Sequence, residues 1–302
     1  MDKELRADAL KAGQIAGKAR DMGARLMKPG ASVREILDQV EDFIRSQGAG
    51  IAFPAQISLN QVAAHACSDL LDETVITEEA VVKLDCGAHV NGMIGDTAIT
   101  VNLSGEYKEL VEASKKALKA VTPLFTPGRP VGEIGGVIQD TIADLGFSPV
   151  KNLSGHGLGR YDIHTFPSIP NIRLPESPVL QEGMHVACEP FATNGKGMIT
   201  DGGEATVWTQ IGAARVRSPF ARQAFKKIQS YDGLPFATRW LEKEFGVGKT
   251  RLALRELQRA GSIQAHPPLK EVSDGMVSQR EHTFIVGDKP TVTTLGEDEI
   301  NP

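Results

Sequence analysis

Two aspartates, Asp85 and Asp96, flank a turn that would bring their carboxylates to one surface. They lie in Leu84-Asp-Cys-Gly-Ala-His-Val-Asn-Gly-Met-Ile-Gly-Asp-Thr-Ala-Ile-Thr-Val101. There Asn91-Gly92 predicts a two-residue hairpin turn, because both residues tolerate positive φ. With that turn Gly87 falls opposite Asp96, and Asp85 is two places from Gly87 on its own strand, so both side chains share a face. Two buried carboxylates so placed repel unless a cation sits between them, and a shared aspartate can bridge two cations. The alternative is a solvated hairpin whose aspartates carry no chemistry.

Three further segments bear on that choice. They are Ser154-Gly-His-Gly-Leu-Gly159 with His156, Glu182-Gly-Met-His-Val-Ala-Cys-Glu-Pro190 with Glu189, and Gln279-Arg-Glu-His-Thr283 with Glu281. The glycines beside His156 would allow close approach of a metal or substrate to the backbone. Singly, each residue also reads as a capping glutamate, a solvent-facing histidine or a strand-edge charge. Together, oxygen ligands with one imidazole suit divalent Mn, Fe, Co or Zn, and a pair of such ions activates water. The sequence contains no H-E-x-x-H, no G-x-S-x-G elbow and no P-loop.

The motifs resemble those of the methionine aminopeptidases, in particular the archaeal and eukaryotic class called type 2, over essentially the whole chain. The residues that carry the resemblance are Lys83-Leu-Asp-Cys-Gly-Ala-His89, Asp96-Thr-Ala-Ile-Thr-Val101, Gly155-His-Gly-Leu-Gly-Arg-Tyr-Asp-Ile-His164, Glu189-Pro-Phe191 and Gln279-Arg-Glu-His-Thr283. The resemblance implies an α+β "pita-bread" fold, two antiparallel halves with approximate internal symmetry and metals between them. It implies one ion held by Asp96, His156, Glu189 and Glu281, and a second held by Asp85 with Asp96 and Glu281 bridging. It further implies that His65 and His164 contact substrate near the scissile amide, and that Phe53 and Ile163 wall the methionine pocket.

The implied reaction is release of N-terminal methionine from peptides and nascent proteins, with a small second residue preferred. Glu189 is the group expected to move the water proton to the leaving amine. The alternatives are a proline-specific aminopeptidase or prolidase, and a non-catalytic binding protein on the same fold. The His65-Ala-Cys-Ser run departs from the aromatic and proline that often follow that histidine in type 2 enzymes. His89, His185 and His282 read as packing or supporting residues, and His266 as surface.

The elements that must position these residues follow from periodicity. Residues 3–28 predict an amphipathic helix ended by Pro29-Gly30, and Ser32-Val-Arg-Glu35 forms a capping box for a second helix through Ser46. Residues 51–60 read as a strand or loop presenting His65. Helices are expected over 106–124 and 131–145, then short strands around His156, Val186 and Glu189. Paired helices around antiparallel hairpins give an α+β class rather than a Rossmann sheet. Helices at roughly 219–230, 235–245 and 249–260 predict an inserted, winged-helix-like subdomain over 208–265, with Phe225, Ile228, Phe236, Trp240, Leu241, Leu252, Leu254 and Leu257 as its core. The catalytic domain is then 1–207 and 266–302, ending on strands over 276–286 and 291–295.

Of the 302 residues 41% are hydrophobic and 24% charged, ordinary proportions for a globular chain. No stretch approaches a membrane span and MDKELRADALKAG lacks the apolar run of a secretory signal, so a cytoplasmic protein is expected, as a monomer. Cys67, Cys86 and Cys188 are spaced for buried thiols rather than disulfides. Net charge is −5, yet residues 208–265 hold 11 Lys and Arg against 4 Asp and Glu. That basic insertion suggests transient contact with ribosomal RNA, against the alternative of a solvated helical surface.

Overall fold

Helix α1 (Lys3–Leu26) begins where Asp2 accepts from the Leu5 amide at 2.9 Å. It stops two residues short of the expected end, because Met27 leaves helical geometry. Helix α2 (Val33–Ser46) starts at the Ser32 hydroxyl, which accepts from the Glu35 amide at 3.4 Å. Both cover a sheet of β1 (Gly50–Leu59), β3 (Val81–Val90) and β4 (Met93–Asn102), with β2 (Val62–Ala64) between them in the chain. This computed structural model describes residues 1–296 and 299. The remaining positions, 297, 298 and 300–302, at the end of the expected catalytic domain, lie outside the described residues.

The segment around Pro54 is strand, although proline cannot donate to a ladder. It is tolerated because the β1–β3 register shifts on both sides of Phe53, where no ladder bond is required of it. Helix α1 lies directly on β4. A Cβ at Gly95 would sit 2.5 Å from the Gly13 backbone, so only glycine allows this approach beside Asp96.

The second half repeats the plan. Helices α3 (Lys108–Val121), followed by a 3₁₀ turn at Thr122–Leu124, and α4 (Val131–Asp144) pack over the next strands. These are β5 (Ser148–Pro149), β6 (Ser154–Gly159), β7 (Asp162–Pro170), β8 (His185–Cys188), β9 (Phe191–Thr193) and β10 (Ile199–Asp201). The chain continues through β11 (Val207–Gln210), α5 (Pro219–Gln229), β12 (Phe236–Ala237), α6 (Thr238–Phe245), α7 (Val247–Arg259) and β13 (Ile263–His266). It ends on β14 (Leu269–Glu271), β15 (Val277–Gln279), β16 (His282–Ile285) and β17 (Thr291–Val292). The largest sheet has the order β17-β16-β8-β6-β7, and every strand pairing among the described residues is antiparallel.

Each half has its own apolar core. One gathers Leu37, Val40, Ile44, Val82 and Leu84; the other gathers Leu118, Phe125, Ile134, Val186 and Phe284. This is the two-halved α+β architecture of the pita-bread fold. Threonine hydroxyls close the seam between the halves. Thr283 accepts from the Asp96 amide and donates to the Asp96 carbonyl, both at 2.8 Å. Thr97 donates to the Glu281 carbonyl at 2.8 Å, and Thr100 to the Gln279 carbonyl at 2.7 Å. The β4 backbone and the Gln279–Glu281 backbone are thereby held in fixed register, which matters because both carry candidate ligands.

A separate cluster, including Trp208, Phe225, Ile228, Phe236, Leu241, Leu254 and Leu257, packs within the basic segment. Trp240 borders it, but Leu252 is 63% exposed, a correction to the expected core. The stripe of α7 that faces inward is Thr250, Ala253, Leu254 and Leu257, and position 252 falls off it. The helix expected from 235 begins at Thr238, because Phe236-Ala237 pairs with Val207-Trp208 as strand instead. The strand expected over 276–286 is two, β15 and β16, interrupted at Arg280-Glu281, and the last strand covers only 291–292 of the expected 291–295.

Candidate metal centre

The hairpin forms as its turn residues dictate. Asn91 and Gly92 take φ of 49° and 85°, Gly87 pairs with Asp96, and Asp85 pairs with Ala98. Glu189 follows the end of β8, and Glu281 occupies the break between β15 and β16. His156 lies on β6 opposite Ala187. Its flanking glycines serve the sheet rather than a ligand. A Cβ at Gly155 would meet the Ala187 carbonyl oxygen at 2.3 Å, and one at Gly157 the Phe166 carbonyl oxygen at 2.4 Å.

These residues converge. His156 Nε2 lies 3.7 Å from Asp96 Oδ2 and 3.6 Å from Glu189 Oε1. Ligand atoms of Asp96, His156 and Glu281 all fall within 4.8 Å of one another. Asp85 joins through Gln279, whose side-chain amide donates to Asp85 Oδ2 at 3.5 Å and to Glu189 Oε2 at 3.4 Å. Asp85 Oδ1, Asp96 Oδ1 and Glu281 Oε2 are buried without a hydrogen-bond partner.

Burial alone pushes the Asp85 carboxyl up to about 7, against a small opposing effect from Gln279. Burial, then the charge of Asp85, holds Asp96 well above the usual carboxylate range. Glu189 is raised by burial and by Asp85 and Asp96, and Glu281 by burial and by Asp96, Glu189 and Asp85. Burial, with His164 beside it, pushes His156 down to about 3 and keeps it neutral. Its Nδ1 lies 3.2 Å from the Gly157 carbonyl; a proton held there leaves the Nε2 lone pair facing Asp96 and Glu189.

Four carboxylates that disfavour one another's charge, bare buried oxygens and a neutral imidazole fit divalent cations, which supply the missing positive charge. No helix among the described residues is long and apolar enough to cross a membrane.

A cavity of about 380 Å³ opens onto this cluster. Phe53 and Ile163 line it and belong to one apolar cluster with Ala52, Ile94, Leu158 and Leu234. His65 lines it from just after β2, in the left-handed region at φ 63°, its amide donating to Gln56 Oε1 at 2.8 Å. His164 stands at the exposed mouth with its ring edge-to-face on His156, 4.4 Å between centroids.

Two residues around the site carry little signal in the sequence. Gln279, which bonds the ligand cluster, is marked only by its position two residues before Glu281. His266, expected on the surface, is half-buried and lines the cavity, because β13 pairs with β11 and carries it inward. His185 and His282 are buried, the latter with Nδ1 2.9 Å from Thr294 Oγ1, and His89 accepts from the Gly92 amide at 3.3 Å. All three cysteines are buried and free.

Residues 7–218 match metallopeptidase family M24. A methionine aminopeptidase from Pyrococcus horikoshii is 43% identical over 288 residues, covering 94% of this chain and 98% of the relative. The crystal structure of a methionine aminopeptidase from Thermotoga maritima superposes with a TM-score of 0.73 at 21% identity, covering 98% of each chain. The structure of a thermophilic Arx1 superposes at 0.86 with 16% identity, covering 97% of this chain and 91% of that one. At those identities the two structures speak for the fold alone.

Proposed function

Because the chain belongs to metallopeptidase family M24, a family of hydrolases that bind divalent metals, we propose that it releases N-terminal methionine from peptides and nascent proteins, preferring a small second residue. The observation that carries this reading is the convergence of four carboxylates, Asp96 and Glu281 buried and Asp85 and Glu189 half-buried, with His156 at the foot of a cavity walled in part by Phe53 and Ile163. It is joined by 43% identity, across nearly the full length of both chains, to a relative named for that activity.

In this reading Asp96, His156, Glu189 and Glu281 would hold one ion, and Asp85, Asp96 and Glu281 would hold a second. Co, Mn, Fe and Zn all suit the donor set. Bound ions would supply Lewis acidity and a water acidic enough to ionise near neutral pH. Glu189 would accept a proton from the attacking water and pass it to the leaving amine. Its Oε2 is steadied by Gln279, which leaves Oε1 on the His156 side of the cluster. His164 contacts the scissile carbonyl as charge develops on it, and His65 hydrogen-bonds the amide. Phe53 and Ile163 pack the methionine side chain.

The experiment is incubation of Met-Ala-Ser and Pro-Ala-Ser with protein loaded with manganese or cobalt, read by mass spectrometry. Loss of methionine alone is expected. Release of proline would move the assignment to a proline peptidase, and cleavage of neither would favour a binding protein.

The reading includes a cytoplasmic monomer in which residues 208–265 form an inserted unit that touches ribosomal RNA. Several of its cations are spent internally. Arg239 is buried against Glu41 and Asp38, Lys243 pairs with Asp38 at 2.7 Å, and Arg251 with Asp69 at 2.9 Å. Lys249, Arg255 and Arg259 are exposed on α7 and are the residues to test. Reversing those three charges should lower cosedimentation with ribosomes at least ~10-fold in low salt. Unchanged cosedimentation would make the insertion a solvated surface.

A further inference from the structure

His65 is fixed at its backbone by its own segment and met at its ring by another. Its amide is tied to Gln56 Oε1 at 2.8 Å, yet its Nδ1 is buried without a partner. What meets the ring comes from the end of β13, where the Pro267 carbonyl and the His266 ring both face it. His266 lies edge-to-face on it, with 6.0 Å between centroids and 78° between planes, a favoured aromatic geometry. His266 is held in turn, its Nε2 2.8 Å from Thr209 Oγ1.

The two residues come from paired strands. Val207 of β11 is opposite His266 of β13, and Thr209 is two places along, so its hydroxyl reaches the ring diagonally. Side chains alternate across this ribbon. Val207, Thr209 and His266 face the cavity, while Thr206, Trp208, Ala265 and Pro267 line a different one of about 530 Å³. The ribbon is the stem from which the helical insertion grows.

We propose that Thr209 and His266 are positioning residues that orient the His65 ring toward the substrate amide, so that the stem of the insertion completes the substrate-binding side of the site. This rests on the assignment of His65 to the substrate made above. Neighbouring charges agree with it. Burial pushes His65 down to about 4, with His266 and His164 acting in the same direction and the Pro267 carbonyl opposing. The ring is therefore neutral at pH 7, and a neutral imidazole is useful only if its one lone pair and one proton point the right way. Its own segment offers Nδ1 no partner; the ring is met instead by the Pro267 carbonyl and by the His266 ring, and Thr209 fixes the orientation of His266.

Thr209→Val, Thr209→Ser and His266→Ala should be compared with the unaltered chain in two ways. Nitrogen NMR of histidine-labelled, metal-free protein reads the tautomer of His65, and steady-state cleavage of Met-Ala-Ser by metal-loaded protein separates kcat from KM. Thr209→Val and His266→Ala should shift the His65 ring signals toward a tautomer average and lower kcat about tenfold, as small misplacements of reacting groups do, with KM changed less than ~3-fold. Thr209→Ser should restore both. Unchanged His65 signals in Thr209→Val and His266→Ala would overturn the proposal. So would an equal loss in all three variants with a lowered Tm, which is the signature of simple packing. If the unaltered chain fails to cleave Met-Ala-Ser, the aminopeptidase reading falls, while the NMR comparison still decides whether Thr209 and His266 orient His65.

Discussion

Replacing Asp96 with asparagine should reduce kcat/KM on Met-Ala-Ser by a factor of at least ~10³, about 4 kcal/mol of transition-state stabilisation. Asp96 is 3% exposed, its Oδ2 faces His156 at 3.7 Å and its Oδ1 has no protein partner. Both oxygens are therefore available to bridge, and asparagine offers one neutral oxygen and an amide that repels a cation. The change is nearly isosteric, and the backbone of residue 96 stays tied to Thr283, so misfolding is not the expected cause of the loss. Metal content per chain, measured alongside the rate, should fall below two. A variant that holds two ions and keeps its rate within tenfold would remove Asp96 from its assigned place. The same substitution should raise the Tm of the metal-free protein at pH 7, since it deletes one of four mutually repelling carboxylates.

The part of this arrangement that local chemistry fixes was legible in the sequence. Asn91-Gly92 sets the turn, the turn sets the register, and the register aligns Asp96 with Gly87 and Asp85 with Ala98. Helix starts at Asp2 and Ser32 were equally local, because a capping side chain acts within three residues. The convergence of His156, Glu189 and Glu281 on the hairpin has no local cause. It became readable only because each sits in a motif whose likeness to a known family supplied the long-range pairing.

Where neither route applied, the reading failed. His266 reads as a surface residue because strands of four residues such as β11 and β13 leave no periodic signal, and their pairing spans the long segment between them. Phe236-Ala237 looked helical for the same reason, since only its partner Val207-Trp208 makes it strand. The glycines around His156 were assigned to a ligand when the neighbouring strands β7 and β8 require them. The threonine seam was also invisible, since Thr97, Thr100 and Thr283 read as ordinary strand residues until the two halves meet.

The metal-free protein should lose stability as pH rises from about 6.5 to 8, and divalent metal should restore it. The sign follows from which state binds more protons. Asp85, Asp96, Glu189 and Glu281 are raised in the folded chain, Asp85 to about 7 and the others well above their usual values, so above pH ~4 the folded chain binds more protons than the unfolded one. Each such group makes stability fall with rising pH until it ionises. Buried histidines act oppositely. His65, His185 and His282 are pushed down to about 4 and His156 to about 3, so between there and about 6.5 the unfolded chain binds more protons and stability rises with pH. His89, His164 and His266 are pushed down by burial as well, so below pH 6.5 seven histidines oppose the four carboxylates.

Above it the histidines are neutral in both states and the carboxylates remain. Lys83, buried and pushed down to about 7, opposes them with a single proton. Bound cations keep the carboxylates ionised in the folded state, which removes their slope. At a hundredfold excess over Kd, metal should add about 2.7 kcal/mol, or roughly 5–10 °C in Tm for a chain of this size, and the gain should be larger at pH 8 than at 6.5. Thermal denaturation of chelator-treated and manganese-loaded protein at both pH values measures this. A metal-free Tm that is flat or rising over that interval, with an equal metal gain at both ends, would show that the four carboxylates do not share one buried site.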